Sequence, residues 1–341
     1  MIGVVILLMK ILVLGATGKL GCYSAIHLAK LGHFVIASGR RDSDNGFFAD
    51  HKIDYIGGLT LENPNSFSKL PLYVDAVVHM AGTMPAHVGT NPMPYVKSIV
   101  EGMVNLLEWM RKGDCRRIVF NTTPSDVSAF FGEDVQVPED APRSFPKDGG
   151  DHAVYAICKN AAVDILEHYR IAYGFMPIIF RHLSVYAWHP NSSYYVNGVK
   201  KILPWRRIMR MCMDGEPIEV WGNPLRKKEL LYVDDFTEAV GLAVKSNICG
   251  LFNLPGVRPY TLDEQIQGLI DAFSPNPKSH QKIYLPDKPS TPQNLLALGM
   301  ANTELGWKAR IEWNEACRRM RIAMGKKEFE KLWGKPIGID F

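Results

Sequence analysis

The feature that most constrains this chain is a short apolar run, Ile11–Leu14, that passes directly into Gly15-Ala-Thr-Gly18-Lys-Leu-Gly21. Four consecutive apolar residues suit a strand buried on both faces, and Ser24–Leu31 beyond the glycines has helical apolar spacing. A strand, a glycine loop and a helix in that order bring a helix N-terminus up to a phosphate, where free N–H groups and the dipole favour an anion. The three glycines have separable tasks. Gly15 permits the tight turn, Gly18 lets the backbone approach a pyrophosphate, and Gly21 lets the helix lie close to the strand. Thr17, Lys19 and Leu20 complete this candidate dinucleotide loop.

The next strand, Phe34–Ala37, ends in Ser38-Gly39-Arg40-Arg41. A carboxylate there would bond an adenosine ribose; Gly39 leaves room instead, and Arg40 or Arg41 can pair with a 2′-phosphate. NADP is therefore favoured, with NAD the alternative. Strand-like runs recur at Ile53–Ile56, Ala76–Met80, Arg117–Asn121 and Met176–Phe180, with a helical pattern at Tyr95–Arg111. The alternation predicts an α/β, Rossmann-type doubly wound parallel sheet with right-handed crossovers. Ligands in such sheets bind beyond the carboxyl ends of strands, which puts Ala81-Gly82-Thr83 and Thr122-Thr123-Pro124-Ser125 at the cleft.

Tyr155 and Lys159 open a periodic helix running to about Tyr173, and residues four apart share a face. A phenol is a poor base at neutral pH, with a reference pKa of about 10. A lysine cation and an oxidised nicotinamide nearby would favour the phenolate. Thr123 or Ser125 can polarise the substrate oxygen beside it.

Composition removes several classes. At 341 residues, 47% apolar and 22% charged, the chain is an ordinary globular protein, and its net charge of +4 carries no dense basic block for nucleic acid. Six scattered cysteines without a CxxC pair predict neither a metal site nor a disulfide framework, and point to a reducing, cytoplasmic setting. The apolar start is too short to span a membrane. Residues 1–8 read as an extension ahead of Met9.

With these pieces in register, the chain resembles the extended short-chain dehydrogenase/reductase superfamily, within it the nucleotide-sugar epimerase/dehydratase group. The matching segments run from Lys10 to about Arg319: GATGKLG at 15–21, VVHMAG at 77–82, EGMVNLLEWMR at 101–111, YAICK at 155–159, FRHLSVYA at 180–187, ELLYVDD at 229–235, FNLPG at 252–256 and ELGW at 304–307. The resemblance implies a mainly dinucleotide-binding domain over 9–183 and a mainly substrate-binding lobe over 184–341, with segments around 229–256 returning to the first domain. It implies Tyr155 as acid/base, Lys159 as the residue orienting cofactor and tyrosine, and a hydroxyl from 123–125 assisting. It adds Leu59 and His182 to the cofactor contacts, and Thr83, Thr123, Ser184, Arg226 and Lys228 to those of an anionic sugar substrate. Asn105 would bond nearby backbone groups. A homodimer through 95–111 and 154–173 follows by analogy.

The sequence also departs from this group. Gly58 stands where an adenine-contacting aspartate is usual. Pro124 falls on the serine/threonine position when Val127 is aligned with the group's valine. No Thr-Asp-Glu triplet occurs at 122–127, which disfavours 4,6-dehydration. Ser184 and Lys228 replace an asparagine and an arginine that commonly meet the diphosphate.

Further along, Gly198–Met213 reads as an amphipathic helix whose Lys200, Lys201, Arg206, Arg207 and Arg210, with Arg226 and Lys228, can form one anion pocket. Asp234-Asp235 reads as an N-cap before Phe236–Val244, and Ala316–Lys331 as a terminal amphipathic helix. Three functional readings stand: hydride transfer on a nucleotide-linked sugar, as epimerase or reductase; reduction of a non-sugar ketone or alcohol; and a non-catalytic NADP-sensing protein.

Overall fold

The computed structural model describes residues 8–85, 91–147, 149–191, 193–196 and 199–335. Apart from Leu8, the proposed N-terminal extension lies outside them.

Seven parallel strands make one sheet: β1 (Lys10–Leu14), β2 (Phe34–Ser38), β3 (Asp54–Ile56), β4 (Ala76–His79), β5 (Arg117–Asn121), β6 (Met176–His182) and β7 (Gly250–Leu254). Their order across the sheet is β7-β6-β5-β4-β1-β2-β3. The order reverses direction beside β1, and this is the crevice in which a doubly wound sheet binds its ligand. Both faces are buried, which explains the unbroken apolar runs. Ile11 and Val13 face one core with Cys22, Ala25 and Leu28 of α1 (Lys19–Lys30). Leu12 and Leu14 face the other, with Leu106 and Leu107 of α2 (Gly102–Lys112) and Leu166 of α3 (Asp151–Tyr173).

The remaining chain builds a second layer beside the carboxyl edge. A hairpin pairs Ser193–Val196 with Val199–Ile202, and α4 (Pro204–Asp214) follows it. The helix expected over Gly198–Met213 is thus corrected: four of its residues form a strand, and Pro204, which cannot sit in a helix interior but suits its first turn, fixes the true start. Gly198 itself lies outside the described residues. Next comes α5 (Val233–Ala243), which packs on α1. Tyr232 is its N-cap, so Asp234 and Asp235 sit inside the first turn instead of capping it. Their charges still favour the dipole, and Asp235 additionally accepts from Arg310 N–H at 3.1 Å and Ile311 N–H at 3.0 Å.

After α6 (Leu262–Phe273), opened by a Thr261/Glu264 capping box, α7 (Trp313–Lys326) packs against it. The terminal helix expected to reach Lys331 stops at Lys326, because Lys327 turns left-handed (φ 54°). A short last helix, α8 (Glu330–Trp333), doubles back onto the stretches that follow β1 and β2. No described helix is long and apolar enough to cross a membrane.

Candidate active site

The glycine loop has the geometry its spacing predicts. Gly15 is left-handed (φ 74°), and a Cβ there would lie 2.7 Å from Ala81 N; a Cβ at Gly21 would lie 2.3 Å from the Gly15 carbonyl oxygen. These approaches press α1 against the loop and the loop against the end of β4. Gly18 is exposed and caps α1 without a side-chain hydrogen bond, leaving first-turn amides to meet an anion. Lys19 folds inward, and its Nζ donates to Val185 O at 2.7 Å. Burial lowers its pKa to about 8.

Around the adenosine side, Leu59 N–H donates to Gly39 O at 3.1 Å, tying the loop after β3 to the loop after β2. A Cβ at Gly39 would press on Thr17 Oγ1 at 3.0 Å. Gly58 is required by its φ of 69°, and a Cβ there would meet Lys69 Nζ at 2.7 Å and Asp42 Oδ1 at 2.9 Å. Both atoms are the tips of exposed side chains, so the backbone angle is the stronger constraint on this position. Arg40 and Arg41 are both exposed, and Arg41 Nη1 donates to Leu332 O at 2.6 Å.

At the sheet edge, α3 brings Tyr155 and Lys159 to the end of β5. Lys159 Nζ donates to Asn121 O at 2.8 Å and stands 4.2 Å from the Phe120 ring centroid and 5.8 Å from that of Tyr155. Both side chains are buried. Burial lowers the lysine to about 7. Burial, then the neighbouring Tyr95, pushes the Tyr155 phenol well above its ordinary value. The phenol is therefore a proton donor in the free protein. It becomes a base only when positive charge is added nearby.

Thr123 accepts from Ser125 N–H at 3.2 Å and so caps the turn Pro124–Asp126. Asp126, fully buried, ends that turn and pairs with buried Arg181 of β6 at 3.0 Å. Pro124 thus opens a turn that an internal ion pair holds in place. Sequence reasoning missed this pair; an Arg in FRHLSVYA and an Asp before Val127 were its only signals. Among the described residues, Asn121 Oδ1, Thr122 Oγ1, His79 Nδ1 and His182 Nε2 are buried without hydrogen-bond partners at the ends of β4, β5 and β6. A ligand rich in hydroxyls and phosphates suits such a rim.

Thr83 lies in the same region, with its Oγ1 2.8 Å from Ser98 Oγ, and Ala81-Gly82 follow β4 as expected. His182 Nδ1 lies 2.6 Å from Leu183 O, and burial holds this imidazole down to about 4. Ser184 is exposed at the start of the second layer. Of the basic residues expected to share one pocket over 200–228, three have separate local contacts. Arg206 donates to His189 O at 3.0 Å and covers Trp188, Arg210 pairs with Asp214, and Arg226 donates to Thr291 Oγ1 at 2.8 Å. Lys228 sits on a ribbon with Tyr260 opposite. Asn105 Nδ2 donates to Leu61 O at 3.0 Å, a backbone contact as expected. Among the described residues no group of His, Cys, Asp and Glu could hold a metal ion.

The model of the NAD dependent epimerase/dehydratase family matches residues 11–253. UDP-glucuronate 4-epimerase of Thermodesulfobacterium geofontis is 25% identical over 254 residues, 72% of this chain and 71% of that protein. UDP-glucose 4-epimerase of Thermotoga maritima, solved with UDP-glucose, superposes with a TM-score of 0.73 at 20% identity, covering 94% of this chain and 99% of that one. The Thermus thermophilus UDP-glucose 4-epimerase complex with NAD gives 0.70 at 20% identity, covering 92% and 98%. At such identities these structures speak to the fold.

The lysine environment gives a pH dependence. Lys159 titrates at about 7 when folded and near 10.5 when unfolded. Between those values the unfolded chain holds the proton and the folded chain does not, so this group adds stability as pH rises. We expect wild type to gain about 1–2 kcal/mol relative to Lys159→Met between pH 7 and 9 in urea denaturation. A difference that is flat or falls over that range contradicts the assignment.

Proposed function

The chain belongs to the NAD-dependent epimerase/dehydratase family, and from that premise we propose that it transfers hydride at a carbinol or keto carbon of a nucleotide-linked sugar, with Tyr155 as acid/base. It is an NAD(P)-dependent enzyme of the extended short-chain dehydrogenase/reductase type. The observation that carries the proposal is the pair itself: a phenol and an amine, both buried, one helical turn apart, with the amine held on the carboxyl edge of β5.

A bound nicotinamide supplies the hydride acceptor for oxidation and the donor for reduction. The chain's own residues handle the proton. In the reducing direction Tyr155 donates its proton to the keto oxygen as hydride reaches carbon. In the oxidising direction the phenolate takes the carbinol proton. Lys159 moderates both by the charge on Nζ, and Thr123 offers a hydroxyl to the same oxygen, with Ser125 beside it. Gly15, Gly18 and Gly21, with Thr17, Lys19 and Leu20, hold the pyrophosphate; Leu59, Ala81, Gly82, Thr83 and His182 line the rest of the cofactor's path. Residues from 184 onward, Ser184, Arg226 and Lys228 among them, form the substrate side. The relatives described above are 4-epimerases, which favours isomerisation with a retained cofactor over net reduction. A homodimer through the faces of α2 and α3, in a cytoplasmic setting, completes the reading.

The proposal is tested by Tyr155→Phe, which keeps the ring and removes the proton. Turnover of UDP-linked sugars is expected to fall by about 10²-fold or more while dinucleotide affinity stays within about twofold. Residual activity equal to wild type refutes the role. Net consumption of reduced cofactor during turnover would replace isomerisation with reduction.

We further propose NADP as the preferred cofactor, with Arg40 meeting the 2′-phosphate, because Gly39 carries no competing carboxylate. Arg40→Ala is expected to weaken NADP binding by about tenfold and leave NAD binding unchanged, measured by calorimetry. An equal effect on both assigns Arg40 no part in the choice.

A further inference from the structure

The last described segment of the chain contacts the loops assigned above to the dinucleotide. Trp333 Nε1 donates to Thr17 O, inside the glycine loop, at 2.8 Å. Arg41 Nη1 donates to Leu332 O at 2.6 Å, and Asn45 Nδ2 to Lys331 O at 3.0 Å. Lys331 Nζ pairs with Asp50 at 2.5 Å. Three consecutive residues of α8 are therefore tied by polar contacts to the two stretches that follow β1 and β2.

The chemistry of these contacts is specific. The last carbonyls of a helix have no partner within it. Arg41 and Asn45 supply the donors. In return the strap supplies a donor, the Trp333 indole, to a loop carbonyl that belongs to no strand or helix. Apolar contacts seat the segment: Phe329 lies 5.0 Å from the Tyr23 ring and 5.9 Å from that of Phe47, and the Trp333 ring lies 3.9 Å from His189. His189 belongs to the second layer and accepts from Arg206 through its carbonyl. The strap thus joins the glycine loop, the loop after β2 and the substrate side in one cluster.

We propose that Phe329–Trp333 is a cofactor strap, with Trp333 a positioning residue that fixes the glycine loop in its binding conformation and slows release of the dinucleotide. The inference rests on the dinucleotide reading of Gly15–Gly21 given above. A loop ordered before binding loses less freedom when the ligand arrives, and the gain falls mainly on dissociation. A slow exit is what an isomerase with a retained cofactor requires, since each molecule serves many turnovers.

The test uses the full chain and measures dissociation of NADP, and in parallel of NAD, by stopped-flow displacement. Trp333→Phe keeps a ring beside His189 and removes the N–H given to Thr17. Asn45→Gly removes the donor to Lys331 O while tolerating the left-handed backbone (φ 56°) of this exposed position. Each variant is expected to release the dinucleotide about three- to tenfold faster, and the double variant faster than either, while the thermal midpoint of the cofactor-free protein changes little. A lowered midpoint with unchanged release makes the segment mere packing and overturns the strap. Unchanged release with an unchanged midpoint overturns it equally. If wild type binds neither dinucleotide, the reading of the glycine loop fails first and the strap falls with it.

Discussion

The interaction on which the rest of the site depends is one amine held at the end of one strand. Lys159 leaves α3, crosses the Phe120 ring and donates to the Asn121 carbonyl. That bond requires β5 to end there, α3 to lie on that face of the sheet, and the Thr123 turn to leave the carbonyl free. No carboxylate contributes to the lysine's titration, which burial alone dominates. The fold therefore maintains a desolvated base where a charged, hydroxyl-rich ligand would stabilise its protonated form.

The neighbours share this character. Lys19 is lowered to about 8, and His79 and His189 to about 3, in each case chiefly by burial. These two histidines are neutral at physiological pH and add no charge to their surroundings. The fully buried ion pair Asp126–Arg181 anchors the turn Pro124–Asp126 that Thr123 caps. A buried pair of this kind contributes little net stability, yet breaking it leaves a costly charge, so it resists movement of the turn that bears Thr123.

Much of this was legible in the sequence because the relevant signals are local. Ile11–Gly21 specifies strand, loop and helix through residues that touch one another, and the steric approaches at Gly15 and Gly21 follow from that spacing. Tyr155 and Lys159 share a helical face by arithmetic. The basic stretch around 200–210 misled because a helical charge pattern was read across Pro204, and because the arginines that follow it met separate local partners. The Asp126–Arg181 pair and the Trp333 contact with Thr17 were hidden for another reason. They join residues 55 and 316 positions apart, and neither leaves a periodic trace. Tertiary contacts of single residues are where pattern reading ends.

The most direct test is the titration of the Lys159 amine itself, followed by NMR in protein carrying isotope-labelled lysine and assigned with Lys159→Met. In the free protein the amine should titrate near pH 7, and the reduced dinucleotide should move that midpoint upward as its phosphates bring negative charge into the cleft. An amine that titrates at the ordinary lysine value and ignores the dinucleotide would contradict the account.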